Sequence, residues 1–323
     1  MTTPRRTLLA ASGALLASPA IAEQDFPNRP IRFICPFPAG GIVDVVMRAL
    51  TDDLSAELGQ PVVVEVRAGA GGIIGSQALN ASPADGYTWL MASLGNIVAP
   101  ILTPSAGFHP LDSIQGVAMV SRSVSLLVVP EASPARTVEE FAALARSRPG
   151  QLNYLRAGIG SFAHMSMEVI QRALGVQVTA VDYRGLPPGI VDLLAGRLDA
   201  AVLASGLAMP HVRESRMRAI GAVGTVRLPD LPDVPTMGEQ GVPAGNLDSW
   251  YIAVTNAGVP QPVLARVAEA FRRVLSNPAA ADRLRGVRTL PYDQVPPAQV
   301  QAFLAEQHRI FATLIREANI TAG

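Results

Sequence analysis

Runs of two hydrophobic periods alternate along this chain, and that alternation limits the fold it can adopt. Residues 31–36 form a short apolar, strand-like run. Residues 43–58 carry Val46, Leu50, Leu54 and Leu58 at helical spacing. A β-branched run follows at 61–66, then a short helical run at 74–81 stopped before Pro83, an Asp85-Gly86 turn and a strand at 87–92. The order β-α-β-α-β favours a mostly parallel sheet with helices on both faces, because parallel neighbours need a helical crossover.

The pattern pauses over 103–112, which is rich in Pro, Gly and Ser. The β-rich run over 117–129 suits a strand crossing from one domain to another. A second alternation starts at Thr137, expected to cap a helix over 138–148 with Glu140 completing a capping box. Strands are expected at 152–155, 176–181, 200–203 and 217–223, and helices at 161–174 and 188–195. A Pro-rich loop at 228–235 precedes a return strand at 249–255. Two terminal helices, 261–276 and 297–318, pack back on the first half. The expectation is two α/β domains with a ligand cleft between them, one from 23–122 plus 248–323 and the other from 123–247. A chain of 323 residues, 49% apolar, is long enough for both cores.

Residues 1–22 read as an export signal. Arg5 and Arg6 form a basic start, 7–17 an apolar stretch too short to span a bilayer, and Ala20-Ile21-Ala22 a cleavage site. The paired arginines fit twin-arginine export loosely, and the general secretory route stays open. No later run resembles a membrane span, so the mature chain is expected in the periplasm. The formal net charge is zero, with no basic stripe, which argues against a nucleic-acid partner. The sequence contains no lysine, which removes Schiff-base and P-loop lysine chemistry. Cys35 is the only cysteine, and its apolar run marks it as a buried thiol. The spacing of the four histidines matches no metal motif, so neither a metal nor a cofactor is expected.

Four turns between strands and helices stand out. Pro36-Phe37-Pro38-Ala39-Gly40-Gly41 precedes a helix whose free N–H groups form an anion site, with Asp44 in its first turn as a capping residue. Gly69-Ala70-Gly71-Gly72-Ile73-Ile74-Gly75 misses the dinucleotide fingerprint by one residue, Ile74. Gly158-Ile159-Gly160-Ser161 opens another helix with Ser161 as N-cap, and His164 and Glu168 share one face of it. It is not a nucleophile elbow, since Ile159 and Ala163 stand where glycines are needed. Asp182-Tyr183-Arg184-Gly185 leads into a Pro-started helix, with Tyr183 placed to line a cleft.

These motifs, in this order, resemble the Bug family, the periplasmic receptors of tripartite tricarboxylate transporters. The resemblance runs from Phe26-Pro27-Asn28-Arg29-Pro30 through Asp85-Gly86-Tyr87-Thr88, Asn153-Tyr154, and Gly196 with Asp199 to Leu231-Pro232-Asp233-Val234-Pro235-Thr236. It implies a periplasmic binding protein-like, hinge-closing fold and no enzymatic activity. It implies a small organic carboxylate held chiefly by main-chain groups and water, and delivery to integral membrane transporter subunits. The ligand-binding positions it implies are Phe37, Pro38, Ala39, Gly40 and Gly41; Ser93 and Asn96; Gly160, Ser161 and His164; and Tyr183, Gly185 and Ser205. Ala204-Ser205 stands where the family often has an acidic residue, which points to a ligand without an α-amino group. The competing readings are an exported dinucleotide-dependent oxidoreductase using the Gly69 loop, and a ligand-sensing subunit for a membrane kinase.

Overall fold

A computed structural model describes residues 26–224, 226–242, 247–292, 295–317 and 319–321. The export signal expected at 1–22 lies outside them. The first α/β run is β1 (Ile31–Cys35), α1 (Ile42–Leu58), β2 (Val62–Val66), α2 (Ile73–Asn80), β3 (Thr88–Ala92), α3 (Leu94–Leu102) and the short α4 (Pro110–Ser113). β4 (Ile114–Ser123) then runs directly into β5 (Ser125–Pro130). The second run comprises α5 (Val138–Ser147), β6 (Asn153–Arg156), α6 (Phe162–Leu174), β7 (Thr179–Asp182), α7 (Leu186–Leu194), β8 (Ala201–Ala204), α8 (Ser205–Arg213) and β9 (Met217–Val223). The chain returns through β10 (Ser249–Asn256) to α9 (Gln261–Leu275), α10 (Pro278–Gly286), β11 (Leu290–Pro291) and α11 (Pro297–Glu317).

The large sheet has the order β11-β4-β10-β3-β1-β2. Its β2-β1-β3 part is parallel, as the alternation requires, while β10 is antiparallel to both β3 and β4. In the other lobe β5 lies antiparallel between β8 and β9, and β6 pairs parallel with β7. The Leu155 N–H to Ala200 carbonyl bond, 3.1 Å, ties that pair toward β8. The α/β two-lobed class stands as expected, but the sheets are mixed rather than mostly parallel. The reason is the crossing itself: β4 carries the chain out and β10 brings it back alongside, so they must run in opposite senses.

Each face of the large sheet is covered. On one side α1, α9 and α10 bury Phe33, Trp89 and Phe271, whose rings meet at 5.4–6.1 Å. On the other, α3 and α11 cover a core that continues into the second lobe through Leu126, Val128, Met165 and Leu203. Thr137 caps α5 as expected, accepting the Glu140 N–H at 3.1 Å. The Glu140 carboxylate takes the Arg136 N–H instead of that of Thr137, so the box closes one residue early. No helix among the described residues is long and apolar enough to cross a membrane.

Candidate functional site

Strand-to-helix turns from both lobes open onto one cavity of ≈ 610 Å³, mouth included. The turn after β1 contributes Phe37, Pro38 and Gly41, and α1 its first two residues, Ile42 and Val43. Ser93, at the end of β3, adds a hydroxyl side chain. From the facing lobe come Ser161 and the first two residues of α6, Phe162 and Ala163, then Gly185, Leu186 and Pro187 at the start of α7. Ser125, Ser249 and Tyr251 of the crossing strands also line it, with Ala157, Val202 and Ala204. All of these turns lie at carboxyl ends of strands, where open α/β sheets bind ligands.

The first residues of a helix have N–H groups without an intrahelical acceptor. Here α1, of 17 residues, and α6, of 13, bring such groups from opposite lobes. Among the described residues Tyr251 is the only ionisable one in the lining, and burial pushes its phenol pKa up, so it stays neutral. Charge selection in this cavity therefore rests on helix ends and hydroxyls rather than on a counter-ion.

Of the positions expected from the sequence, Phe37, Pro38, Gly41, Ser93, Ser161 and Gly185 meet in this cavity. The others lie outside its lining. Ala39 and Gly40 are exposed at the turn, and the Gly40 N–H is held by Asp44 Oδ2 at 2.9 Å. Arg48 binds the other Asp44 oxygen, also at 2.9 Å, so this carboxylate anchors the turn as its capping reading implied. Asn96 accepts the Ser93 N–H and donates to the Gly72 carbonyl and Ser76 hydroxyl. Gly160 is buried with φ +72°, and its N–H donates to His164 Nδ1 at 3.0 Å. Tyr183 faces an adjoining cavity and donates its phenol hydrogen to Asp192 at 2.6 Å. Ser205 is fully buried; its N–H goes to the Val124 carbonyl and its hydroxyl to that of Arg288. Sequence reasoning missed Ser125, Ser249 and Tyr251.

The Gly69 loop packs closely against its neighbours and also lines the adjoining cavity that Tyr183 faces. A Cβ on Gly71 would lie 2.0 Å from the Ile159 carbonyl oxygen of the other lobe, and one on Gly75 2.5 Å from Pro36. These glycines admit close backbone approach, at Gly71 between the lobes. Cys35 is buried and its pKa is pushed up to about 11, which keeps the thiol protonated and unreactive.

This geometry defines a class of protein, a two-domain solute receptor whose cavity lies between its domains. A family model described as the tripartite tricarboxylate transporter family receptor matches residues 46–320, and the chain belongs to that family. Protein BugT of Bordetella pertussis is 32% identical over 316 residues, covering 96% of this chain and 97% of that protein. The solved periplasmic binding protein BugD superposes with a TM-score of 0.86 at 27% identity, covering 92% of this chain and 99% of that one. An R. palustris protein solved with adipate gives 0.86 at 26% identity with the same coverage.

Proposed function

We propose that this receptor captures a small organic carboxylate in the periplasm and delivers it to integral membrane subunits of a tripartite tricarboxylate transporter. The observation that carries the reading is the meeting of the α1 and α6 N-termini on one cavity that, among the described residues, no charged side chain lines. Micromolar affinity requires about 8 kcal/mol. Charge-assisted hydrogen bonds contribute about 1.5–3 kcal/mol each, so the amides of Ile42, Val43, Phe162 and Ala163 are of the right order. The R. palustris relative solved with adipate supports the same ligand class.

In this reading the chain divides near residues 122 and 248, and residues 1–22 are removed on export. The contact residues are those of the cavity, with Asn96, Gly160, His164 and Ser205 holding the turns from behind. Among the described residues no acidic side chain lines the cavity to pair with an α-ammonium group, which favours a ligand without one.

A thermal-shift screen of the exported form against mono-, di- and tricarboxylates, amino acids and nicotinamide dinucleotides tests this. Binding to the folded state alone adds about 2.7 kcal/mol at a hundredfold excess over Kd. The expected result is a raised Tm with one class of non-amino carboxylate. A shift with dinucleotides and none with any carboxylate would overturn the reading.

A further inference from the structure

Ser125 lines the cavity at 1% exposure, yet its hydroxyl has no hydrogen-bond partner among the described residues. A buried hydroxyl left this way is destabilising unless a bound group satisfies it. Nearby on the other crossing strand, the Tyr251 phenol bonds both Ser123 and Ser249 at 3.0 Å. Ser123 and Ser249 are themselves paired across β4 and β10, and Ser125 follows Ser123 by two residues. The crossing strands thus present a cluster of neutral hydroxyls, each able to donate and to accept. The wall around it is hydrocarbon, from Val202, Ala204, Leu186 and Phe162.

A carboxylate set against this wall would lose its hydration to uncharged groups, with no cation to offset the cost. A hydroxyl or carbonyl oxygen fits it, since such a group satisfies Ser125 at a much smaller desolvation cost. We propose that the crossing strands form a specificity pocket for an uncharged oxygen. Resting on the carboxylate reading above, the ligand is then a monocarboxylate with an apolar body and a neutral hydroxyl or carbonyl at its far end. The competing arrangement is a dicarboxylate with one carboxylate on each helix N-terminus, and diacids report it.

The test is calorimetric titration of the purified protein and its Ser125→Ala variant with two matched series. One is hexanoate, 6-hydroxyhexanoate and adipate; the other is benzoate, 4-hydroxybenzoate and terephthalate. In whichever series fits the cavity, the hydroxy acid should bind about tenfold tighter than the plain acid and than the diacid. Ser125→Ala should bring the hydroxy acid down to the plain acid while changing the plain acid by less than about twofold. Ser125→Cys replaces that variant if it does not fold. A diacid that binds as tightly as the hydroxy acid, or a Ser125 variant that weakens all acids equally, sinks the specificity pocket and leaves the carboxylate reading intact. Failure of every acid in both series withdraws both.

Discussion

His164 Nδ1 accepts the Gly160 N–H at 3.0 Å, so the ring proton belongs on Nε2, which faces Glu168 Oε1 at 3.9 Å. Burial, with Arg156 nearby adding to it and Asp182 opposing, pushes the imidazole down to about 4. The ring stays neutral in the fold, whereas in the unfolded chain it titrates at about 6.5. The unfolded state therefore takes up a proton first as pH falls. The stability this group contributes is complete above about 6.5 and is lost progressively toward 4, about 2 kcal/mol of it by pH 5. Melting curves at pH 7.5 and pH 5 should show a larger drop for the wild type than for His164→Asn. His308 is pushed in the same direction and lowers both proteins alike, so it cancels from the comparison. Equal drops would mean that His164 does not titrate in this window. Protonation also removes the acceptor of the Gly160 N–H, so ligand affinity should weaken over the same range.

The lobes meet through glycines. Gly160 has Ala99 of α3 where its Cβ would be, 2.6 Å from the Ala99 nitrogen, and Gly185 has Pro38 at 2.6 Å. Gly71, at φ +65°, faces the Ile159 carbonyl most closely of all and lines the adjoining cavity with Tyr183 rather than the one that holds Ser125. Gly71→Ala should therefore act on closure. We expect about 1–2 kcal/mol lost from the ligand-free protein, for the left-handed backbone, and a loss of ligand affinity of at least tenfold. Titration calorimetry beside thermal melts separates the two, and unchanged affinity would show that this approach is not part of the bound state. The same elements explain what the sequence reveals. Local periodicity located the strands, the long helices and the crossing run. It missed α3 and α8, where Gly95, Pro100 and Pro210 argue against helix on propensity, and α10, although Asn277 caps it and Pro278 stands at the favoured first position. Burial of residues 94–100 overrides that cost in α3. Turn chemistry singled out the Phe37 and Ser161 turns that line the cavity, because both are local devices for exposing helix amides. Ser125, Ser249 and Tyr251 belong to no motif, since only the tertiary return of β10 beside β4 brings them together. One faint signal was present: Ser121, Ser123 and Ser125 alternate within a run whose only charged residue is Arg122, the spacing that puts side chains on one face of a strand. Asn96, Gly160, His164 and Ser205, expected at the ligand, lie behind the lining of this cavity, and order along the chain does not distinguish a side chain facing a cavity from one bracing the turn behind it.

At the scale of the whole molecule, the covalent path between the lobes runs out through β4 and β5 and returns through β10. Both crossings lie side by side, and Tyr251 with Ser123 and Ser249 ties them together at the cavity floor. That arrangement suits a hinge, in which a ligand held by both lobes favours the closed form by its differential affinity. Receptor and ligand class meet in one claim: a carboxylate sits between the N-termini of α1 and α6. A crystal structure of the protein with the acid that binds most tightly tests this directly. The account predicts carboxylate oxygens within hydrogen-bond distance of the amides at Ile42 or Val43 and at Phe162 or Ala163, with no arginine in contact. A carboxylate paired with an arginine, or seated outside this cavity, would contradict it.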